Sequence, residues 1–531
     1  MEKKSENLIL IFLIIFAVYC SLTLGMAWDE PYHYENGLKR LRYSLSLGRY
    51  EYHDILHLRY YPGFYDTLSA FLSQIFPKKY EVHIHHSINL FFSLSTIVGL
   101  AQITKILFNK KVSKIVFIIL FLNPIFFGHM SINPKDTIIA FSNVWTTYFV
   151  IRYLQTQQIN IKRKYFSTLV GLTVGFGVGI RIIFLGTLMP ILILTILDIF
   201  FLKKFTNEKF SLIKFFNDLF KILLIAYVMM IIFWPNTHEN IFTLPFKLFF
   251  DSLNDLSQGT PWGLLNGEFY RTIDTPKLYL VKNFFYKLPE YILFTYLIFI
   301  FLIFKDQKFF KNHFKFVKTK LSYLLFIIVF PILMASLMAL KIHDGLRYFL
   351  FLIPYLSIIP GVAIYYLIYN IKFNIHKFYL TSILVLFIYY LFNFFSLTPY
   401  HYTYLNIFNG KFSEASNKFE NDYWGASLKE LVSKIEMNKR FKSNNYFKIA
   451  YCGINNDTIN YYLKRIENFR YIEISNDDDY DYIIMTNRHN GTDLDKKNEV
   501  KTCFDSYKGK DILSVKRNGL ILSRIRQNTG P

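Results

Sequence analysis

Residues 8–34 read LILIFLIIFAVYCSLTLGMAWDEPYHY, and this stretch decides the fold. Positions 8–26 carry no charge, and at 1.5 Å rise per residue such a run is long enough to cross a hydrocarbon layer as a helix. Lys3 and Lys4 precede it, in the manner of a signal peptide. The run is longer than a signal peptide's apolar region, however, and Gly25-Met26-Ala27-Trp28 is a poor cleavage site, so it reads as a retained helix. Asp29 and Glu30 follow at once. Adjacent carboxylates at a membrane surface are costly unless they are solvated within an interfacial aromatic belt or put to chemical use.

Outward from this stretch the same pattern repeats. The chain is 53% hydrophobic, with 57 Phe and 40 Tyr, and these residues fall in long runs rather than in alternating faces. The reading is a mainly α polytopic membrane protein of about eleven transmembrane helices. They are expected near 8–26, 87–107, 115–130, 137–155, 166–181, 183–202, 218–235, 289–304, 321–340, 348–370 and 379–397. With the N-terminus inside, the short inner loops receive Lys110, Lys111 and Lys114, then Lys162, Arg163 and Lys164, then Lys203, Lys204, Lys209 and Lys214. Six lysines between Lys305 and Lys320, and then Lys372 with Lys377, complete the series. The net charge of +22 is therefore read as the basic bias of cytoplasmic loops and not as a nucleic-acid surface. The outer face receives 27–86, with surface-lying helices, together with 131–136, 236–288, 341–347 and everything from about 398.

Two domains are expected: a transmembrane domain over 1–427 and a small extracytoplasmic α/β domain over 428–531. In the latter, 446–451 and 482–486 read as strands and 457–466 as a helix. Residues 515–525 read as a hairpin turning at Asn518-Gly519. Cys452 and Cys503 lie in this tail; they could pair if it is extracytoplasmic, or remain two buried thiols. With only three cysteines, no disulfide framework or metal cluster is implied.

Four clusters fall on the expected outer face. The first is Trp28-Asp29-Glu30-Pro31-Tyr32-His33-Tyr34, continued by Arg59-Tyr60-Tyr61. The second is Asn133-Pro134-Lys135-Asp136, where Asp136 either caps the next span or faces the same cavity as Asp29. The third is His343-Asp344-Gly345-Leu346-Arg347-Tyr348, whose Arg347 is either a snorkelling interfacial cation or a bidentate phosphate ligand. The fourth joins the last span to the tail: Pro399-Tyr400-His401-Tyr402, then Glu420-Asn421-Asp422-Tyr423-Trp424-Gly425. Its interleaved aromatics and acids suit either a packed interface or a sugar-binding surface.

Together these features resemble the GT-C superfamily of membrane glycosyltransferases, and most closely the protein O-mannosyltransferase-like family 39 branch, which includes the aminoarabinose transferases of lipid A. The resemblance covers about residues 1–430. It rests on the acidic pair Asp29-Glu30 after the first helix, the long outer loop, and Asp136 opening a later outer loop. Protein O-mannosyltransferases carry an additional β-trefoil domain, which the short α/β-like tail does not match.

The resemblance implies transfer of a sugar, as a hexosyltransferase, from a polyprenyl-phosphate donor to a lipid, glycan or protein acceptor. The reaction would run on the extracytoplasmic face of a multi-pass membrane protein, with a bacterial inner membrane as the expected setting. Inversion at the anomeric carbon needs a carboxylate base, and a leaving phosphate needs cations. Asp29, Glu30 and Asp136 are the catalytic candidates; Arg347, Lys135 and His343 are the donor-phosphate candidates. Tyr32, His33, Tyr400, His401, Asp422 and Trp424 are the substrate-binding candidates. No cofactor and no metal-ligand spacing is expected, and the partners are the donor, the acceptor and membrane lipids, with no nucleic acid. The competing readings are a transporter or flippase of lipid-linked sugars and a non-catalytic envelope assembly protein. A transporter should place ionisable residues mid-span, whereas Lys105, Arg152, Arg181 and Asp198 lie near span ends.

Overall fold

Helix α1 (Glu2–Thr23) carries the apolar run quoted above. This computed structural model describes residues 2–206, 210–255, 259–338, 340–441, 446–476, 478–491 and 500–529. Parts of the expected 428–531 domain (442–445, 477, 492–499 and 530–531) lie outside the described residues, as do 207–209 of an expected inner loop with its Lys209, 256–258 of the expected outer loop and 339 of the expected 321–340 span.

After α1 the chain leaves the bundle for two short helices, α2 (Glu30–Leu45) and α3 (Phe64–Ser73), which pack on each other. Glu30, Glu35, Lys39, Arg40 and Arg42 make α2 too polar for hydrocarbon. The bundle continues with α4 (Glu81–Leu107), α5 (Lys110–Phe121), α6 (Pro124–His129), α7 (Asp136–Thr156), α8 (Asn160–Val178), α9 (Phe184–Leu197) and α10 (Leu212–Ile232). A surface excursion follows, with α11 (Leu244–Asn254) and a hairpin of β1 (Trp262–Leu265) and β2 (Glu268–Arg271). The bundle closes with α12 (Tyr279–Lys287), α13 (Glu290–Lys305), α14 (Gln307–His313), α15 (Val317–Leu337), α16 (Ile353–Leu356), α17 (Ile358–Tyr369) and α18 (Asn374–Ser396).

Among the described residues, seven helices are long and apolar enough to cross a membrane, and an eighth span is counted if α12 and α13, bent by 107°, are taken together. The expected spans near 115–130, 137–155 and 166–181 are less simple. Asn123 accepts the amides of Ile125 and Phe126 and starts α6 afresh at Pro124, which interrupts the first of them. Helix α7 carries Asp136 and Arg152 with several Thr, Ser and Asn, and α8 opens with Lys162, Arg163 and Lys164. The Arg347–Tyr369 span is the interior one, 89% buried. A methyl group on its Gly361 would run into Val116 of α5, so the two backbones meet closely there.

The C-terminal domain contains α19 (Leu428–Met437), β3 (Phe447–Cys452), α20 (Asn456–Leu463), β4 (Tyr471–Glu473), β5 (Tyr482–Thr486), α21 (Cys503–Ser506), β6 (Lys510–Arg517) and β7 (Leu520–Gln527). Its five-stranded sheet has the order β4-β3-β5-β7-β6, parallel for β4-β3-β5 and antiparallel for β5-β7-β6. Asn518 and Gly519 both have positive φ, the two-residue turn that the sequence indicated. Cys452 and Cys503 form a disulfide, with Cα atoms 5.8 Å apart. The domain seats on the end of the bundle that carries α2: Tyr462 Oη accepts the Met26 amide at 2.7 Å, and Asn455 Nδ2 donates to the Trp28 carbonyl at 2.9 Å.

Candidate active site

Asp29 occupies the N-cap of α2, and Pro31 stands at the start of that helix. An N-cap Asp ordinarily accepts a first-turn amide, but here the side chain makes no capping bond. Its neighbour satisfies this end of the helix instead. Glu30 Oε2 accepts the Ala27 amide at 2.6 Å and lies 3.1 Å from His86 Nε2, while Tyr34 Oη donates to Oε1 at 2.8 Å. Released from capping, Asp29 turns its carboxylate to Lys135 Nζ at 3.1 Å and Arg347 Nη1 at 3.6 Å. The preceding residue is clamped on both sides, because the Trp28 amide donates to the Trp424 carbonyl at 2.9 Å and Asn455 holds its own carbonyl.

Lys135 comes from a tight turn built on Asn133. The Asn133 Oδ1 accepts the Asp136 amide at 3.0 Å, and its Nδ2 donates to Asp136 Oδ2 at 3.0 Å. Asp136 opens α7, and Arg181 Nη1 approaches its other oxygen at 3.9 Å. Tyr61 forms a shared wall, with Lys135 and Arg181 lying 5.6 and 4.7 Å from its ring centroid. The loop bearing Tyr61 is fixed by a buried guanidinium. Arg40 of α2 donates to the carbonyls of Leu58 (2.9 Å), Tyr61 (2.7 Å) and Pro62 (2.5 Å).

Arg347 stands at the mouth of the interior span, with its guanidinium 4.9 Å from the Trp424 ring and 4.7 Å from that of Tyr348. Its Nη2 donates to His343 Nε2 (3.0 Å) and to Tyr348 Oη (2.8 Å), and its Nη1 lies 3.3 Å from Asp344 Oδ2. The opposite Asp344 oxygen lies 3.2 Å from Nη2 of Arg488, which belongs to the C-terminal domain. The turn needs Gly345: its φ is +69°, and a Cβ there would sit 2.6 Å from Lys287 Nζ. Lys287 is buried beside the rings of Phe419 and Tyr423. Glu420 is buried as well, and its Oε1 has no hydrogen-bond partner among the described residues.

Burial opposes ionisation of Asp29, but Lys135 and Arg347 outweigh it and hold the carboxyl well below the usual carboxylate range. Burial likewise opposes ionisation of Asp344; Arg488 and Arg347 overcome it and lower the carboxyl. Burial pushes His343 down to about 3, so at neutral pH it is an uncharged imidazole that accepts from Arg347. His343, expected as a donor-phosphate ligand, is thus not a cation here and instead orients Arg347. Burial raises Glu420, against the opposing pull of Arg488. Lys135, Arg181, Arg347 and Arg488 face Asp29, Asp136 and Asp344, four cations against three carboxylates, with buried Lys287 and Glu420 beside Asp344 and Arg488.

The sequence candidates therefore separate. Asp29, Lys135, Arg347, His343 and the Trp424 ring come together, and Asp136 joins them through Arg181. Glu30 does not: it is 1% exposed, and both of its oxygens are occupied in the helix start. His33 Nδ1 lies 2.9 Å from Asp66 of α3, and Tyr32 is half-buried beside Asn455. Asp422 is a buried acceptor for the amides of Ala426 and Ser427 (3.1 Å each) and for the Tyr402 hydroxyl. Tyr400 donates to Glu430, and His401 packs among Phe16, Phe127 and Phe394, in the interface between bundle and tail.

Arg181, Asp344, Arg488, Tyr61 and Tyr348 were not among the sequence candidates for the site. Arg181 had a signal, as a lone cation in a nearly continuous apolar stretch. Arg488 had none, since it follows a short strand about 140 residues after its partner Asp344.

A helical bundle with surface helices at one end, and a small sheet domain seated over an acid–cation cluster there, is a fold shared with solved membrane proteins. The crystal structure of ArnT from Cupriavidus metallidurans in the apo state superposes with a TM-score of 0.54 at 10% identity, covering 100% of both chains. The same protein bound to undecaprenyl phosphate gives 0.51, again at 10% identity and 100% of both chains. An oligosaccharyltransferase from Archaeoglobus fulgidus, in its apo form, gives 0.47 at 10% identity over 90% of this chain and 69% of that one. No family model and no curated protein matches the sequence.

Proposed function

We propose that this protein transfers a glycosyl group from a polyprenyl-phosphate-linked donor to an acceptor hydroxyl, with inversion at the anomeric carbon and Asp29 as general base. The observation that carries the reading is the N-cap carboxylate of Asp29, which forgoes capping to lie between Lys135 and Arg347. A base beside two cations suits a reaction in which a hydroxyl loses its proton as a phosphate departs. The acceptor oxygen attacks C1, its proton passes to Asp29, and the C1–O bond to phosphate breaks with both electrons going to the phosphate oxygen. That oxygen gains charge beside Lys135 and Arg347. The ArnT likeness supports the choice of donor, because one of the matching structures was bound to undecaprenyl phosphate.

In the unliganded site Asp29 is a weak base, since its cations hold it ionised. Donor phosphate competes for those cations, and the proton affinity of Asp29 rises when the donor is in place. The site lies on the extracytoplasmic face in this reading, because the basic loops fall at the other end of the helices.

The test is turnover of purified protein in nanodiscs with polyprenyl-phosphate sugars and a panel of lipid, glycan and peptide acceptors. Transfer by the wild type that is abolished in Asp29→Asn supports the assignment. Carrier translocation across a vesicle without transfer would replace it with a flippase.

A further inference from the structure

Asp344 is shared between two arginines, its Oδ2 lying 3.3 Å from Arg347 and its Oδ1 3.2 Å from Arg488. Arg347 also faces Asp29 at 3.6 Å, so two carboxylates compete for one guanidinium. The outcome of that competition depends on Arg488, which takes up part of the charge of Asp344.

Arg488 is held from every side. It is 7% exposed, its guanidinium lies 4.9 Å from the Trp28 ring, and its Nη1 donates to the Tyr423 carbonyl at 2.6 Å. Its own carbonyl accepts the Cys503 amide at 2.7 Å, and Cys503 is bonded to Cys452 at the end of β3. Next to it, Asn487 donates to the Phe419 carbonyl at 2.8 Å and accepts the Asn421 amide at 3.0 Å. Segment 486–489 is thus pinned between the chain leading to Trp424 and the disulfide-linked end of the sheet.

We infer that Arg488 of the C-terminal domain is a positioning residue for the donor phosphate site: by neutralising Asp344, it leaves Arg347 free to face Asp29 and the phosphate. This rests on the transferase reading. Without Arg488 the ring falls from four cations to three against three carboxylates, and Asp344 draws Arg347 toward itself. Removing Asp344 as well should restore the balance, because the competing charge then disappears together with its counter-ion.

The experiment measures undecaprenyl phosphate binding to full-length protein in nanodiscs, with donor kcat and KM and thermal melting for each variant. Arg488→Gln is expected to weaken binding about tenfold and to raise donor KM more than it lowers kcat; residues in one ion-pair network couple at this level. Adding Asp344→Asn is expected to return binding to within about twofold to threefold of wild type. A merely structural role for Arg488 predicts no such rescue in the correctly melting fraction. Unchanged binding in Arg488→Gln, or additive losses in the double variant, overturns the inference. If Arg488→Gln does not fold, Arg488→Met, which also removes the charge, is read in the same way against Asp344→Asn. A wild type that binds the carrier but never transfers sugar overturns the transferase reading and leaves the inference to be decided by the binding data. A wild type that does not bind the carrier overturns both.

Discussion

Asp29→Asn separates two effects that the proposed mechanism assigns to one carboxylate. The substitution keeps the shape and removes both the charge and the basicity. Loss of a general base costs about 10²–10⁴ in rate, or roughly 3–5 kcal/mol in the barrier. Donor binding should move the other way. Asp29 competes with the phosphate for Lys135, 3.1 Å away, and Arg347, 3.6 Å away. Charge-assisted hydrogen bonds contribute about 1.5–3 kcal/mol each, and about 1.4 kcal/mol is tenfold in affinity, so freeing these cations should leave donor affinity unchanged or tighten it by about tenfold or more. The expected signature is a kcat lowered by at least about a hundredfold with a donor KM that does not rise. The assay is single-turnover transfer at saturating donor, paired with equilibrium binding of undecaprenyl phosphate. Full turnover would refute Asp29 as the base. Lost binding with an intact rate at saturation would instead make it a ligand for the donor.

Four further predictions concern the helix start, the Arg347 fork, a buried carboxyl and the topology. Glu30→Gln should destabilise the fold by about 1–3 kcal/mol through the Ala27, Tyr34 and His86 contacts, yet leave turnover per folded molecule near wild type; melting and active-fraction titration check this, and a stable but inactive variant would move the base to Glu30. Arg347→Lys loses the planar fork stacked between Trp424 and Tyr348 and should cost about 1–3 kcal/mol in donor use, read from kcat/KM across donor concentrations. Burial raises the Glu420 carboxyl, so the folded state binds its proton more tightly than the unfolded chain does, and the contribution of Glu420 to stability falls as pH rises from the ordinary glutamate range toward about 7. Glu420→Gln lacks this loss, so its melting advantage should grow between about pH 5 and 8 to a few kcal/mol at most, and a pH-independent difference would contradict the burial argument. An alkaline phosphatase fused after Pro531 should be active in a bacterial host, and an inactive fusion at normal expression would place the site in the cytoplasm.

What could be read in advance divides along physical lines. Long uncharged runs report on helices locally, since hydrocarbon demands that each span satisfy its own backbone and hide no charge. Residues 8–26, 289–304 and 379–397 correspond closely to α1, α13 and α18 for that reason. The Asn518-Gly519 turn was legible because two successive positive φ values favour those residue types. The pair Asp29-Glu30 was legible as a pair but not as two roles, because the sequence does not say which acid closes the start of α2. The same blindness applied to Tyr400, His401 and Asp422. Aromatics mixed with acids look alike whether they bind a sugar or seal an interface, and the burial and hydrogen bonds of these three place them in the seal.

By itself, then, the sequence determined an apolar helical bundle with a small α/β tail and acids and cations clustered in four turns. These properties follow from composition and periodicity within a few residues of each position. Only the tertiary structure decided that Asp29 faces Lys135 and Arg347, that Arg181 reaches Asp136, and that Arg488 arrives from the far end of the chain to share Asp344. Such ion pairs join residues separated by about 45 to 320 positions, and their energies depend on distances of a few ångströms that only packing fixes.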